Sequence, residues 1–194
     1  MKRIGLFLLM TLALSSCGRP DAGKPWGLLN ITGHMPDLQF TLSSDDGRAV
    51  DQDAFPGKLT LLYFGYTHCP DVCPTTLADL GNAIRLLGPQ ASQVQVLFVS
   101  VDPVRDTAAV LKSYVNAFGP WFVGLTGSQA QLTALTKRYR VAYRLGKADS
   151  HGDYTVYHSS AVFIFDKHGQ ARLLAGLSDK PAVIATDLRR LLQE

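Results

Sequence analysis

Long apolar runs are scarce in this sequence of 194 residues, and the run near the N-terminus covers only residues 4–14. At a rise of about 1.5 Å per residue, a helix of that length is too short to cross roughly 30 Å of hydrocarbon. Blocks of like charge and internal repeats are also lacking, and the formal net charge is only +3. The sequence therefore disfavours a membrane-spanning helix, a nucleic-acid partner and a repeat architecture.

The N-terminus nevertheless has the pattern of an export signal. Lys2 and Arg3 precede the apolar run, and Leu14-Ser15-Ser16-Cys17 follows it. Small residues directly before a cysteine resemble the lipobox of bacterial lipoproteins, in which the cysteine is lipidated. We expect residues 1–17 to be a lipoprotein signal peptide that leaves a lipidated Cys17, so that the protein is extracytoplasmic, in the periplasm, and anchored to the cell membrane. The alternative is an ordinary signal peptide that leaves Cys17 as a free thiol.

Cysteine is also scarce, with three residues in the chain. Lipidation of Cys17 leaves one pair, Cys69 and Cys73. In an oxidising compartment such a pair is a structural disulfide, a redox couple or a metal site. The loop between them is so short that a disulfide gains little from restricting the unfolded chain, which makes a purely structural disulfide the weakest of the three.

The rest of the chain is long enough for one domain with its own core. Residues 18–33 are rich in proline and glycine and predict a tether, although its later apolar residues are suited to packing on the domain. From residue 34 onward, predicted strands and helices alternate, which indicates an α/β sheet covered on both sides.

The predicted elements begin with a hairpin around the turn Asp45-Asp46-Gly47. Strands are expected over residues 59–66, 94–101, 154–158 and 161–166, of which the first two look buried on both faces. One helix is expected to begin after Cys73, at Pro74 and Thr75, and to end at Gly88-Pro89. Others are expected over residues 107–118, 128–139 and 181–192.

The cysteine pair lies where the first buried strand passes into the first helix. Free N–H groups and the helix dipole at that position stabilise a thiolate, which is both the nucleophile and the metal ligand. Residues four apart on a helix share one face, with Cα atoms about 6 Å apart, so both sulfur atoms can face one ion. Adjacent prolines and polar residues predict a solvent-accessible turn. Thiol exchange remains open, although thioredoxin-type motifs have two residues between the cysteines and this motif has three.

Two thiolates suit a soft ion, and an imidazole ligand would extend the site to either copper oxidation state. A histidine at a strand end is by itself more often structural, and His158 has that position. In a thioredoxin-like sheet, however, the loop entering the penultimate strand faces the cysteine helix, and thioredoxins have a cis-proline there. Here the loop is Tyr157-His158-Ser159-Ser160, without proline, so we expect His158 to be the third ligand. The other histidines are less suited by position: His34, His68, His151 and His168.

The segment after the second buried strand, Asp102-Pro103-Val104-Arg105-Asp106-Thr107, is interpreted as mainly structural. Pro103 ends the strand, and Asp106 or Thr107 can cap the next helix. Arg105 can pair with Asp102 or Asp106. Asp71, between the cysteines, either fixes the loop or contacts a partner, and a solvated turn residue is an equal alternative.

Two motifs occur in order: residues 65–74, with both cysteines, and residues 100–107, with the aspartate–proline–arginine–aspartate–threonine pattern. Together with residues 124–128, 137–141 and 154–159, they resemble the Sco/SenC family of copper-handling proteins. The resemblance implies a thioredoxin-like α/β fold over residues 34–194, with a central mixed sheet flanked by helices and an N-terminal hairpin extension.

The resemblance also implies that Cys69, Cys73 and His158 bind one copper ion, as Cu+ or Cu2+. It implies delivery of copper to, or thiol reduction at, the copper A site in subunit II of cytochrome c oxidase, with another periplasmic copper chaperone as a donor. One departure is visible, since many members have an acidic residue where this chain has Tyr157.

Three functions follow as hypotheses. The first is a monomeric copper chaperone without turnover, and the second is a thiol–disulfide reductase for which Cys69 and Cys73 are the redox-active pair. The third is a peroxidase-like or redox-sensing enzyme with the same fold. The paired cysteines and His158 together are best explained by the first.

Overall fold

The computed structural model of the chain describes residues 24–150 and 153–194. The predicted signal peptide, Cys17, the first part of the tether and His151 lie outside the described residues. Within the described ranges, no helix combines the length and the apolar character needed to cross a bilayer.

Ten strands are found in these ranges: β1 (Leu29–Asn30), β2 (Thr41–Ser44), β3 (Ala49–Asp51), β4 (Leu59–Gly65), β5 (Val94–Ser100), β6 (Phe122–Thr126), β7 (Tyr143–Leu145), β8 (Val156–His158), β9 (Val162–Phe165) and β10 (Ala171–Ala175). Eight of them form one sheet in the order β1-β10-β9-β4-β5-β6-β2-β3, whereas β7 and β8 pair only with each other. The strands β4, β5 and β6 are mutually parallel, and the remaining pairs are antiparallel. The predicted mixed sheet is confirmed.

Strands β4 and β5 form the centre of the sheet, and every residue in both is buried. Their continuous apolar runs predict this, because a strand covered on both faces has no polar side. Parallel pairing places Gly65 beside Ser100 at the carboxyl ends. Strand β9 runs antiparallel to β4, with Val162 opposite Tyr63, so the chain enters β9 at the same edge of the sheet.

The four predicted helices are present as α1 (Val72–Arg85), α2 (Ala108–Asn116), α3 (Gln129–Arg138) and α4 (Pro181–Leu192). Thr107 caps α2, because its side chain accepts a hydrogen bond from the Val110 N–H. A capping box between Ser128 and Gln131 begins α3. Helix α1 packs against α4, and α2 packs on β6.

The predicted N-terminal hairpin is β2–β3, and β2 joins it to the large sheet by pairing with β6. The sequence patterns did not predict β6, which contains Gly124. A Cβ at Gly124 would lie 3.0 Å from the Leu111 Cβ of α2, so the glycine allows the helix to approach the strand closely. Glycine permits this contact because it has no side chain, and the missing side chain also weakens the strand pattern in the sequence.

The later part of the predicted tether packs on the domain, as its apolar residues suggested. Leu28 and Ile31 are buried, and β1 pairs with β10. The Leu28 N–H donates a hydrogen bond to Asp187 Oδ2 at 2.8 Å. Arg190 donates hydrogen bonds to the backbone carbonyls of residues 24 and 25 and lies 3.9 Å over the Trp26 ring.

Asp187 therefore attaches the N-terminal segment to α4 from a buried position. We expect Asp187→Ala to lower the free energy of unfolding by about 2–3 kcal/mol, because it leaves the Leu28 N–H unpaired and removes the carboxylate beside Arg190. Urea denaturation of a soluble form lacking residues 1–17 measures this. The matched control is Thr186→Ala on the exposed face of the same helix, with an expected change within about 0.5 kcal/mol. Equal stability of the two variants would contradict the assignment.

Candidate metal centre

Three potential ligand atoms converge where β4 ends. The donor atoms of Cys69, Cys73 and His158 all lie within 4.8 Å of one another, and no other such group occurs among the described residues. Cys73 Sγ is 3.2 Å from His158 Nε2. The structure therefore brings together all three residues that the sequence analysis selected.

Cys69 lies in the turn between β4 and α1. The helix begins at Val72, so only Cys73 is helical, and the expectation that both cysteines share one helix face was wrong. The sulfur atoms converge because the Cys69 N–H donates to the Tyr66 carbonyl at 3.3 Å and closes the turn. The Cys73 N–H then donates to Cys69 Sγ at 3.4 Å.

The start of α1 favours the thiolate form of Cys69. Asp71 is at the N-cap position but makes no side-chain cap hydrogen bond, and the sulfur atom lies there instead. Partial burial acts to raise the pKa of Cys69. Hydrogen bonds from the backbone N–H groups of Asp71, Cys73 and Val72 outweigh it, so the pKa is lowered.

Cys73 has the opposite character. Its side chain is fully buried, so the expectation of an accessible turn holds for Cys69 alone. Burial raises the pKa of the Cys73 thiol to about 12. Gly65 makes this position possible, because a Cβ there would lie 3.0 Å from Cys73 Sγ and 2.6 Å from the Phe98 ring. The centre thus pairs one activated thiol with one thiol that retains its proton.

His158 is the last residue of β8 and is presented to the cysteines by its own backbone. Its Nδ1 lies 2.9 Å from the Ser159 carbonyl oxygen. Because a carbonyl only accepts, Nδ1 bears the proton and Nε2 turns a lone pair towards Cys73. Burial lowers the pKa of His158, against a smaller rise from the bond to Ser159, which favours the neutral ring that metal binding needs.

The donor set fits a copper ion. Sulfur and imidazole ligands lie about 2.0–2.3 Å from a first-row ion such as zinc, so two ligands on opposite sides of one ion are up to about 4.6 Å apart. The three donor atoms are already within 4.8 Å of one another, so small side-chain movements suffice. Two sulfur donors favour a soft ion, and the imidazole suits copper in either oxidation state.

The other three histidines within the described ranges do not join the group. His68 is half exposed, and its Nδ1 lies 3.1 Å from Thr67 Oγ1 and 3.7 Å from Asp106 Oδ1. His34 and His168 are exposed.

Asp106 is a residue whose role the sequence analysis missed. It is fully buried and accepts hydrogen bonds from the Thr67 N–H and the Thr67 and Ser100 hydroxyls at 2.9, 2.6 and 2.6 Å. It was expected either to cap α2 or to pair with Arg105, but Thr107 is the cap and Arg105 pairs with Asp102. The sequence did contain a signal for this contact, because the motifs at residues 65–74 and 100–107 each follow a buried strand. Parallel pairing of the two strands brings the two motifs together.

A shallow groove beside the centre is lined by Tyr66, Cys69, Val72, Tyr157 and Leu177, among others. Tyr157, at the position of the departure from the family pattern, is 55% exposed. Arg144 lies 4.7 Å over its ring. Tyr157 therefore belongs to the surface around the centre.

The chain is similar to known proteins in both sequence and structure. The chain is 36% identical to an SCO2-like protein of Rickettsia felis over 166 residues, which are 84% of this chain and 79% of the relative. It superposes on the copper-bound structure of ScoI from Bradyrhizobium japonicum with a TM-score of 0.73 and 38% identity, covering 80% of this chain and 99% of the other. For copper-bound yeast Sco1, the TM-score is 0.74, the identity 31% and the coverage 82% and 90%.

These similarities agree with a family model. The model described as SCO1/SenC matches residues 33–193, which include the whole of the large sheet apart from β1. The predicted thioredoxin-like fold of the Sco proteins is thereby confirmed, and the chain belongs to the SCO1/SenC family.

Proposed function

We propose that Cys69, Cys73 and His158 bind one copper ion and that the protein delivers it to the copper A site in subunit II of cytochrome c oxidase. The observation that carries the proposal is the convergence of two sulfur donors and one imidazole nitrogen within 4.8 Å. Copper-bound structures of the Bradyrhizobium and yeast relatives support the choice of metal. The oxidase as client follows from the family resemblance.

The unequal exposure of the two cysteines suits transfer of a bound ion. Cys69 is partly exposed and lies beside the groove, whereas Cys73 is buried. A partner's thiolate can therefore replace Cys69 at the ion while Cys73 and His158 remain bound. Ligand exchange of this kind moves the ion without releasing it into water, and the lowered pKa of Cys69 makes its thiolate a competent leaving ligand.

The proposal includes an extracytoplasmic location. A lipid on Cys17 and the tether that follows it would keep the monomeric domain at the membrane, where the oxidase also resides. Another periplasmic copper chaperone would supply the ion.

A second function, thiol–disulfide reduction of the client's cysteines, is favoured by the pKa difference between the thiols. Cys69 thiolate would attack a client disulfide, form a mixed disulfide and expel one client thiolate. Cys73, after losing its proton, would attack Cys69 and expel the second. The pair ends as a disulfide, and two electrons pass to the client.

Removal of the imidazole tests the three-ligand site. We expect His158→Ala, in the form lacking residues 1–17, to weaken copper binding by at least about 100-fold, more than the usual effect of removing a hydrogen-bond partner of a ligand. The thiolate-to-copper absorption should also be lost. Competition titration with a chelator and visible absorption measure these changes. His168→Ala, in an exposed turn, is the matched control and should bind like the wild type. If His158→Ala keeps the copper affinity and the absorption spectrum of the wild type, the three-ligand site is wrong.

Oxidase assembly separates delivery from reduction. If the protein delivers copper, cells with His158→Ala or Cys69→Ala should both lack the copper A absorption of the oxidase. If it only reduces the client, the His158 variant should still support assembly, because thiol exchange needs the cysteines alone. Assembly with His158→Ala at the wild-type level therefore favours the second function.

The pKa difference between the thiols predicts unequal alkylation of the copper-free protein. At pH 7 iodoacetamide should modify Cys69 at least about tenfold faster than Cys73, because the rate follows the thiolate fraction and access. Peptide mass spectrometry measures both rates. The single variants Cys73→Ser and Cys69→Ser are mutual controls, of which the first should react fast and the second slowly. Equal rates would show that the start of α1 does not activate Cys69.

A further inference from the structure

His158 belongs to a structural unit that forms no strand pairing with the large sheet, although its ring packs edge-on against Tyr63 of β4 and against Tyr66. Strands β7 and β8 form a two-stranded hairpin of their own, and three paired positions join them. An isolated two-stranded hairpin is marginally stable in water. The position of the imidazole relative to the cysteines therefore depends on what fixes the hairpin to the rest of the domain.

Arg105 and Asp102 provide such a fixation at Tyr154, four residues before His158. The Arg105 guanidinium donates to Asp102 Oδ2 at 2.5 Å and to the Tyr154 carbonyl at 3.0 Å. The Tyr154 hydroxyl donates to Asp102 Oδ1 at 2.7 Å. The guanidinium also lies 3.7 Å over the Tyr154 ring. The backbone, the ring and the hydroxyl of Tyr154 are all bound by these two residues.

Asp102 is itself immobilised by the centre of the sheet. It is 1% exposed, and its N–H donates to Ser100 Oγ at 3.0 Å at the end of β5. The planar fork of Arg105 binds two acceptors and stacks on an aromatic ring at once, which lysine does not do. The hairpin is thus tied to the buried central strand pair of the sheet.

The same short loop also fixes the cysteine turn. Asp106, one residue after Arg105, accepts both the N–H and the hydroxyl of Thr67, two residues before Cys69. The Ser100 hydroxyl donates to the Asp106 carboxylate at 2.6 Å. The loop of residues 102–106 therefore contacts both segments that bear ligands. Asp106 contacts one segment at Thr67, and Asp102 and Arg105 contact the other at Tyr154.

We propose that Asp102, Arg105 and Asp106 are positioning residues that together set the distance between His158 and the cysteine pair. We call them the bracket. Asp102 and Arg105 form its hairpin arm, and Asp106 forms its cysteine arm. None of the three is a metal ligand. This inference depends on the proposed copper site. It adds the loop of residues 102–106 as the element that sets the distances between the three ligands.

The two arms act on different ligands, and this separates the bracket from a general effect on stability. Loss of the hairpin arm should displace His158 and leave the Cys69 turn in place. Loss of the cysteine arm should displace Cys69 and leave the hairpin in place. A merely structural loop would change both segments together, in proportion to the loss of stability.

Arg105→Lys and Tyr154→Phe test the hairpin arm. We expect each to weaken copper binding about 10–100-fold, the usual range for a group that orients a ligand, and to shift the thiolate-to-copper absorption and the electron paramagnetic resonance of bound Cu2+. In the copper-free protein, hydrogen exchange should accelerate at the Gly146 and Ser159 amides, which donate across the hairpin to Thr155 and Ala142. In Tyr154→Phe, alkylation of Cys69 should stay within about twofold of the wild type, because the lost hydroxyl contacts Asp102 and not the cysteine turn. Tyr154→Phe removes only a hydroxyl and keeps the test valid if Arg105→Lys folds poorly.

Asp106→Asn tests the cysteine arm. An asparagine amide cannot accept all the hydrogen bonds that the carboxylate accepts, so the Thr67 turn should loosen. We expect a change of at least about threefold in the alkylation rate of Cys69 in the copper-free protein, since the rate reports its thiolate fraction and access. Exchange at the Gly146 and Ser159 amides should remain as in the wild type. The bracket thus predicts that Tyr154→Phe changes hairpin exchange but not Cys69 alkylation, and that Asp106→Asn changes Cys69 alkylation but not hairpin exchange.

Arg144→Lys is the matched control for Arg105→Lys. Arg144 also lies over a tyrosine ring of the hairpin, at Tyr157, but it is exposed. The Arg144→Lys variant should match the wild type in copper affinity, spectra, hydrogen exchange and Cys69 alkylation.

If the wild type binds copper through His158 but Arg105→Lys and Tyr154→Phe behave like Arg144→Lys, the bracket is wrong and the proposed copper site stands. If His158→Ala binds copper as the wild type does, the proposed site is itself wrong. Hairpin exchange in the copper-free variants then still reports whether Arg105 fixes the hairpin.

Discussion

The parallel pairing of β4 and β5 is the constraint on which the rest of the molecule depends. It aligns Gly65 with Ser100, so the chain leaves both strands at one edge of the sheet. The antiparallel strand β9 begins at that edge, which brings the segment after β8 to the same place. Three distant parts of the chain meet there because buried strands pair in one register, and the ligand atoms and the loop of residues 102–106 are consequences of that register.

The chemistry of the centre comes from giving two identical side chains different surroundings. Cys69 lies against free N–H groups at the start of α1, which stabilise its negative charge. Cys73, four residues later in α1, packs its side chain against Gly65 of β4, where burial opposes a negative charge. A metal ion can offset that cost for Cys73 by replacing its proton, whereas under the proposed reductase function a client disulfide would meet Cys69 first. Copper binding and the proposed thiol exchange would therefore use the same asymmetry.

Much of the fold was predictable because its signals are local. The two buried strands, all four helices and the caps at Thr107 and Ser128 follow from apolar runs and side-chain types. The three residues selected through motif order and the proline-free loop at His158 do converge in the fold. Strand β6 was missed because Gly124 serves packing against α2 and obscures the strand pattern. The role of Asp106 was missed because its partner Thr67 is 39 residues away, and a buried carboxylate has the same sequence signal as a helix cap.

The attachment of the N-terminal segment has a consequence for orientation. Helix α4 starts four residues after Leu177, which lines the groove beside the metal centre. It ends where the Leu192 carbonyl accepts a hydrogen bond from Lys167, after the far end of β9. Arg190, near that far end, binds the carbonyls of residues 24 and 25, so the described chain begins at the pole of the domain opposite the ligands. If Cys17 is lipidated as predicted, the seven residue-to-residue steps from 17 to 24 span at most about 25 Å. The membrane would then lie behind the domain, and the ion would be presented outward, to partners that project from the bilayer.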